Sequence, residues 1–300
     1  MAPDSRPIVV CLGSVVMDHT FQVDDVVQPP SKNRARGYAT GPGGLAANAS
    51  IAVSRLGGNC VFWGRVGDDH NGRPLLDALA EQGVDVSQCR LAPEGRTPVS
   101  SVLVDPTGER SIYAFRGENL GTDPDWLPLH RLDTAGAFLC DPRWPEGSAR
   151  ALDHARARGI PTVIDGEKSE TRLLRDLVPR VDHAVFSEPG LMNFAPGLKP
   201  AEALRQALAA GCRVAAVTQG EKGTLWLTRA DAAPRRTPAF RVMATNTTGA
   251  GDVFHGAYAL ALAEGQPVER ALRFASAAGA LRARDGATPV REMVDRLLFG

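Results

Sequence analysis

A chain of 300 residues, 43% hydrophobic and 23% charged, has the composition of an ordinary globular protein and could form one large α/β domain or two smaller ones. Its 34 Lys and Arg balance its 34 Asp and Glu with no block of like charge, which argues against a nucleic-acid or membrane-surface partner and leaves a small molecule as the expected one. Five scattered cysteines, none in a C-x-x-C pair, argue against a disulfide framework and a zinc site; with the run Ile8 to Met17 too short for a bilayer and unlike a signal peptide, a cytoplasmic location is expected.

"PIVVCLGSVVMD", residues 7–18, holds a short β-branched run that ends in a glycine and reads as a buried strand of a parallel sheet, with Asp18 just past its end. Residues 20–42 place Phe21, Val23 and Val26 among prolines and a basic run, which is expected as extended, partly exposed lid strands. "GGLAANASIAVSRLGG" predicts a glycine turn that opens a small-residue helix, stopped by Gly57 and Gly58. "CVFWGRVG" is the next predicted strand and "NGRPLLDALAEQGV" the next helix. Alternation on both sides of "DPTGE" predicts a hairpin that supplies a second lid segment over about 97–116.

From about residue 134 the pattern becomes regular. Strands "GAFLCD", "IPTVIDG", "HAVFSE", "RVAAVTQG" and "GTLWLT" interleave with helices such as "PEGSARALDHARARG" and "PAEALRQALAAG", which means βαβ units and a mainly parallel sheet. Helices over 252–264 and 267–283 close the chain. No linker parts two units, so residues 1–300 are expected to form a single α/β domain with a small β-sheet lid.

"TTGAGDVF", residues 247–254, ends a glycine turn with Asp252 at the mouth of an apolar helix. The first turn of a helix has unpaired N–H groups and the positive end of the macrodipole, and Gly249 and Gly251 leave the approach to them open. That suits a phosphate or a developing phosphoryl charge; a helix capped by Thr248 or Asp252 fits these residues equally well. The run is neither a Walker A loop, lacking the Lys-Ser/Thr pair, nor a dinucleotide fingerprint, lacking a third glycine, which also disfavours an NAD-dependent dehydrogenase. A carboxylate inside an anion pocket repels phosphate unless it serves to take the proton of the attacking nucleophile, as in-line phosphoryl transfer needs. "GPGGLAAN", residues 41–48, allows close approach of a ligand, with Asn48 able to donate and accept; a tight turn explains it as well. Asp18 lies where open α/β sheets place ligands, and is also an ordinary turn residue.

Taken together, "GGLAAN" and "TTGAGDVF" resemble the two signatures of the PfkB (ribokinase-like) carbohydrate kinases. "GSVVMDH", "GRVGDDHNGRPLLDALAEQGVDV" and "VTQGEKGTLWL" fall in that family's order, so the resemblance covers nearly the whole chain. It implies a ribokinase-like three-layer α/β/α fold, a β-sheet lid over the sugar, and transfer of the ATP γ-phosphoryl group to a sugar hydroxyl. By the resemblance Asp252 is the catalytic base and the amides of Gly249, Ala250 and Gly251 form the anion hole. Asp18, Gly43, Gly44 and Asn48 hold sugar hydroxyls, and Thr218, Gly220 and Gly223 border the nucleotide. Magnesium accompanies ATP, held mainly through phosphates and water. Lid pairing between subunits implies a homodimer.

Two departures stand out. The family run usually begins with an Asp that helps to bind a monovalent cation; here Asn246 keeps the oxygen and loses the charge, which puts potassium activation in doubt. The family's Asn-x-x-Glu motif appears as "SEPG", residues 187–190, with Glu188 as the nearby substitute. A non-catalytic sugar- or nucleotide-binding regulator rests on these two departures alone.

"DPRWPEG", "DHAVFSEPGL" and "TTGAGDVFHGA" resemble more specifically the sulfofructose kinases, which phosphorylate carbon 1 of a ketohexose bearing a sulfonate on carbon 6. Lys32 and Arg143 match basic positions of that subgroup; Ala114 replaces an amide side chain, with Arg116 close by. As a bland alternative, Lys32, Arg34, Arg36 and Arg116 form a solvated charged face, and a neutral sugar, nucleoside or sugar phosphate remains open. His19 and His255 adjoin the motifs and are assigned no role.

Overall fold

A computed structural model describes residues 6–26 and 32–300. In chain order it runs β1 (Ile8–Leu12), β2 (Val16–Gln22), β3 (Gly37–Gly43), α1 (Leu45–Arg55), β4 (Asn59–Trp63), β5 (Arg65–Gly67), α2 (Gly72–Glu81), β6 (Val84–Asp85), β7 (Arg90–Ala92), β8 (Val99–Val104) and β9 (Arg110–Phe115). The regular half follows with β10 (Ala137–Cys140), α3 (Pro145–Ala157), β11 (Thr162–Gly166), α4 (Thr171–Leu177), β12 (His183–Ser187), α5 (Glu188–Phe194), α6 (Pro200–Ala210), β13 (Val214–Thr218), β14 (Thr224–Thr228) and β15 (Arg235–Thr237). It closes with α7 (Ala250–Ala263), α8 (Val268–Asp285) and α9 (Arg291–Phe299).

Nine strands form the central sheet in the order β15-β14-β13-β12-β11-β10-β1-β4-β6. All of its pairings are parallel except β13 with β14 and β14 with β15. Side chains of a strand alternate between faces, so a sheet covered on both sides needs apolar residues at every position. In β1, Val9 and Cys11 pack toward α1, α2, α7, α8 and α9, whereas Val10 and Leu12 pack toward α3, α4, α5 and α6. The result is the expected three-layer α/β/α arrangement around a mainly parallel sheet. Among the described residues no helix is long and apolar enough to cross a membrane.

The first predicted strand ends at its glycine, as expected, but the residues after it form a second strand that was not expected. The chain leaves the central sheet at Gly13, where a Cβ would lie 2.3 Å from an Asp141 carboxylate oxygen. It re-enters at Val16 as β2, in a separate four-stranded sheet ordered β3-β2-β8-β9. Asp18 therefore sits within a lid strand, opposite Gly41 of β3 and Ser100 of β8, and not at the end of a central strand. The apolar run continues through Val15 and Val16, so hydrophobic pattern alone hides the break. Similarly "CVFWGRVG" divides at Gly64 into β4 of the central sheet and β5, which pairs only with β7.

The hairpin β8–β9 forms as expected, with Val99 opposite Phe115 and Val104 opposite Arg110. The closing helices begin and end within two residues of the expected bounds. Of these, α7 is buried continuously from Val253 to Ala261, as a helix apolar all round must be. It crosses α1 at Gly256, where a Cβ would lie 2.3 Å from the Ala49 carbonyl oxygen. That contact brings the first turns of α1 and α7 together.

Candidate active site

The two motifs, far apart in sequence, meet where these helices begin. Asn48, in the first turn of α1, donates from Nδ2 to Oδ2 of Asp252, in the first turn of α7, at 2.7 Å. Burial, followed by the nearby Asp165 carboxylate, pushes the Asp252 carboxyl up to about 7, while the Asn48 hydrogen bond opposes the rise. A carboxylate poised near neutrality is suited to accepting a proton.

Gly249 caps α7 in the left-handed conformation, φ 73°. Asn246 Oδ1 accepts the Thr248 N–H at 2.9 Å, and the Ala250 N–H turns back to the Thr247 carbonyl at 3.2 Å. Among the described residues the amides of Gly249, Gly251 and Asp252 make no backbone hydrogen bond. Of the amides expected to form an anion hole, those of Gly249 and Gly251 are free of backbone hydrogen bonds, that of Ala250 is engaged, and that of Asp252 is free beside them. Arg110, from lid strand β9, donates to Thr248 Oγ1 at 2.7 Å and to Thr247 Oγ1 at 3.3 Å, tying the lid to this turn.

A cavity of about 350 Å³ opens between the lid and the two helix ends. Asp18, Gly44, Asn48, Asp252 and Arg143 line it, and apolar walls come from Val15, Val102, Ile112 and Phe115. Burial raises the Asp18 carboxyl, and Ser100 Oγ donates to its Oδ1 at 2.5 Å. Gly43 has to be glycine, because a Cβ there would lie 2.0 Å from the Asp18 carboxylate. Lys32 is exposed and does not line this cavity.

Sequence reading missed three of the residues that build the site. Asp141, fully buried at the end of β10, accepts from Ser14 N and Ser14 Oγ, both at 2.7 Å, from Ala46 N at 3.2 Å and from Arg143 N at 2.8 Å. Ser14 Oγ also accepts the Leu45 N–H at 3.2 Å, so residues remote in sequence cap α1 where Gly44 has no side chain to do so. Arg65 lines the cavity, stacked with its guanidinium carbon 4.0 Å from the centre of the Trp144 ring, and burial lowers its pKa to about 10. Asp165, buried at the end of β11, lies with Oδ2 3.4 Å from His255 Nδ1; burial and then Glu167 push its carboxyl well up. Position at the carboxyl end of a parallel strand was the available signal for Asp141 and Asp165.

His255 is buried, with Nδ1 2.7 Å from the Gly251 carbonyl and Nε2 3.1 Å from that of Val185, which fixes the ring beneath the turn. His19 Nδ1 meets Tyr38 Oη at 2.8 Å on the lid. On the other flank, Ser187 Oγ accepts the Gly190 N–H at 3.0 Å and caps α5, while Gln219 Nε2 donates to the exposed Glu188 at 2.8 Å. Thr218 ends β13 beside Glu188, and Gly220 and Gly223 adopt positive φ, 54° and 78°, in the turn to β14. At Gly223 a Cβ would lie 2.2 Å from the Thr237 carbonyl oxygen. Thr218, Gly220, Gly223 and Glu188 thus lie at and just past the carboxyl ends of the neighbouring strands β12 and β13.

A doubly covered parallel sheet with a β lid, and a helix start that offers free amides beside a carboxylate poised near neutrality, define an enzyme that transfers phosphoryl groups to an alcohol. The chain belongs to the pfkB family of carbohydrate kinases, whose family model matches residues 7–289. It is 29% identical over 294 residues to ribokinase from Bacillus subtilis (strain 168), covering 96% of this chain and 98% of that one. It is also 29% identical over 281 residues to the ATP-dependent ribose-1-phosphate kinase of Halopiger xanaduensis, covering 93% of each. The crystal structure of a candidate ribokinase from Agrobacterium tumefaciens superposes with a TM-score of 0.92 at 33% identity, covering 97% of each chain. The protein is accordingly an ATP-dependent sugar phosphotransferase.

Proposed function

We propose that the protein transfers the ATP γ-phosphoryl group to a primary hydroxyl of an anionic sugar, a ketohexose such as 6-deoxy-6-sulfofructose phosphorylated at carbon 1. The observation that carries this reading is that Arg65, Arg116 and Arg143 line the same cavity as Asp18 and Asp252. Guanidinium forks match the tetrahedral oxygens of a sulfonate or phosphate, and burying one such cation beside apolar walls is costly without an anion to meet it. The relative named as an ATP-dependent ribose-1-phosphate kinase supports an anionic substrate.

In this reading Asp252 removes the proton of the attacking hydroxyl, and the amides at the start of α7 take up charge on the transferred group. Asp18, Gly43, Gly44 and Asn48 orient the sugar. Thr218, Gly220, Gly223 and Glu188 border the nucleotide, and magnesium enters with ATP as counter-charge for its phosphates. The reading extends to assembly: the outer strands of the lid, β3 and β9, expose Tyr38 and Tyr113, and a homodimer through the lid would cover them.

An ADP-release assay over sulfofructose, sugar phosphates and neutral sugars tests the reading. Arg143→Ala and Arg116→Ala are expected to raise KM for the anionic sugar about 10- to 100-fold, as loss of a charged hydrogen bond does, while fructose is little affected. Equal losses on both substrates, or preference for a neutral sugar in the intact protein, overturn the anionic substrate. Absence of ADP with every sugar overturns the kinase.

A further inference from the structure

The turn that leads into α7 has a fixed cation behind it. Arg282, near the end of α8, reaches Gly249, where a Cβ would lie 3.6 Å from both its Nε and its Nη2. Its Nη1 is buried without a hydrogen-bond partner, and among the described residues no carboxylate pairs with it at ion-pair distance. Burial works against its charge, Asp252 supports it and Arg110 opposes it. Arg282 is half-buried, so it is the Nη1 end alone that lies away from solvent without a partner, and a buried donor left unpaired calls for a reason.

Arg282, Asn246, Gly249 and Gly286 line a second cavity, of about 360 Å³, between the turn and lid strands β2 and β3, which shares Asp18 and Asn48 with the first. A monovalent cation fits poorly here. Asn246 Oδ1 is engaged by the Thr248 N–H, and the Ala283 carbonyl accepts from Thr245 N at 2.9 Å and Asn246 N at 3.0 Å. No carboxylate among the cavity's residues other than Asp18 is available, and the guanidinium already supplies positive charge.

We propose that Arg282 is a positioning residue that replaces a diffusible monovalent cation: it sets the Thr247–Gly249 turn and provides standing positive charge behind the amides that receive the phosphoryl group. The proposal rests on the kinase reading above. It explains Asn246 directly. An Asp at that position would put a carboxylate in the cavity that Arg282 lines and offset its charge, whereas Asn accepts the Thr248 N–H and leaves the charge in place.

The test compares initial rates in potassium, sodium and choline chloride at one ionic strength. It uses the intact protein and Arg282→Leu, Arg282→Lys, Asn246→Asp and Asn246→Asp/Arg282→Leu, with thermal unfolding of each. The intact protein should vary less than about twofold among the salts, with no potassium-specific change in Tm. Arg282→Leu should lose about 100-fold in kcat, the scale of one lost oxyanion-hole donor, with KM for ATP and sugar nearly unchanged. Arg282→Lys should recover much of that loss. Asn246→Asp should lower kcat in every salt, and the double variant should regain activity only in potassium. Potassium activation of the intact protein beyond about tenfold, a wild-type kcat in a folded Arg282→Leu, or a faster Asn246→Asp in potassium overturns the proposal. An intact protein that turns over no sugar defeats the kinase reading instead, and the Tm comparison still reports on the cation.

Discussion

At the scale of single residues, the proposed chemistry turns on Asp252, half-buried in the first turn of α7. Burial is the first cause of its raised pKa, with Asp165 adding to it, so the carboxyl is protonated below about 7 and available as a base above it. The sign follows: kcat/KM should rise with pH through an acid limb centred near 7 and fall about tenfold per unit below it. Asp252→Asn should remove that limb and about 10²- to 10⁴-fold of the rate, with ATP affinity by calorimetry unchanged. A variant that keeps its rate, or a wild-type profile flat from pH 5 to 8, would show that the base lies elsewhere. Asp252 and Asn48 were legible from sequence because a glycine turn at a helix start is a local signal. Asp141, Arg65 and Arg282 were not, since each is one polar residue whose meaning comes from partners far along the chain.

At the scale of elements, the site depends on one helix crossing. Small residues on α1 and Gly256 on α7 let the two backbones close, and that closeness is what lets Asn48 reach Asp252. Gly256→Ala would drive a methyl group against the Ala49 carbonyl, for a cost of about 1–3 kcal/mol, the usual range for overpacking. Denaturant unfolding should show that loss, and the folded fraction should lose kcat because the two helix ends separate. Full stability or full activity would mean that the crossing tolerates displacement. The element boundaries were legible wherever apolar period and glycine punctuation agree, as in α1, α7 and the β8–β9 hairpin. They were misread at Gly64, and the strand that follows Gly13 was missed, because the apolar pattern runs on across a change of sheet.

At the scale of the whole molecule, two sheets divide the work: the larger holds the helix ends in place, and the smaller covers the cavity and brings Arg110 to the turn. The lid is four strands with open edges, and unpaired strand edges with exposed aromatic residues favour pairing with another chain. Sedimentation should therefore show a dimer, and Tyr38→Lys with Tyr113→Lys should shift it to monomer. A monomeric wild-type protein at micromolar concentration would remove lid pairing. The mainly parallel sheet could be read in advance because alternating strands and helices permit few topologies, and the layers flanking it followed from the family resemblance.

The contacts that join the site also carry an order of events. Ser14 meets Asp141 across 127 residues, and Asn48 meets Asp252 across 204. Closing such long loops is entropically expensive, so these contacts are among the slow ones to form. A chain emerging from the ribosome has no complete sugar pocket until α7 has been made, and ligand added earlier has nothing to stabilise. Ligand binding at the candidate site is therefore a report that α1 and α7 have met.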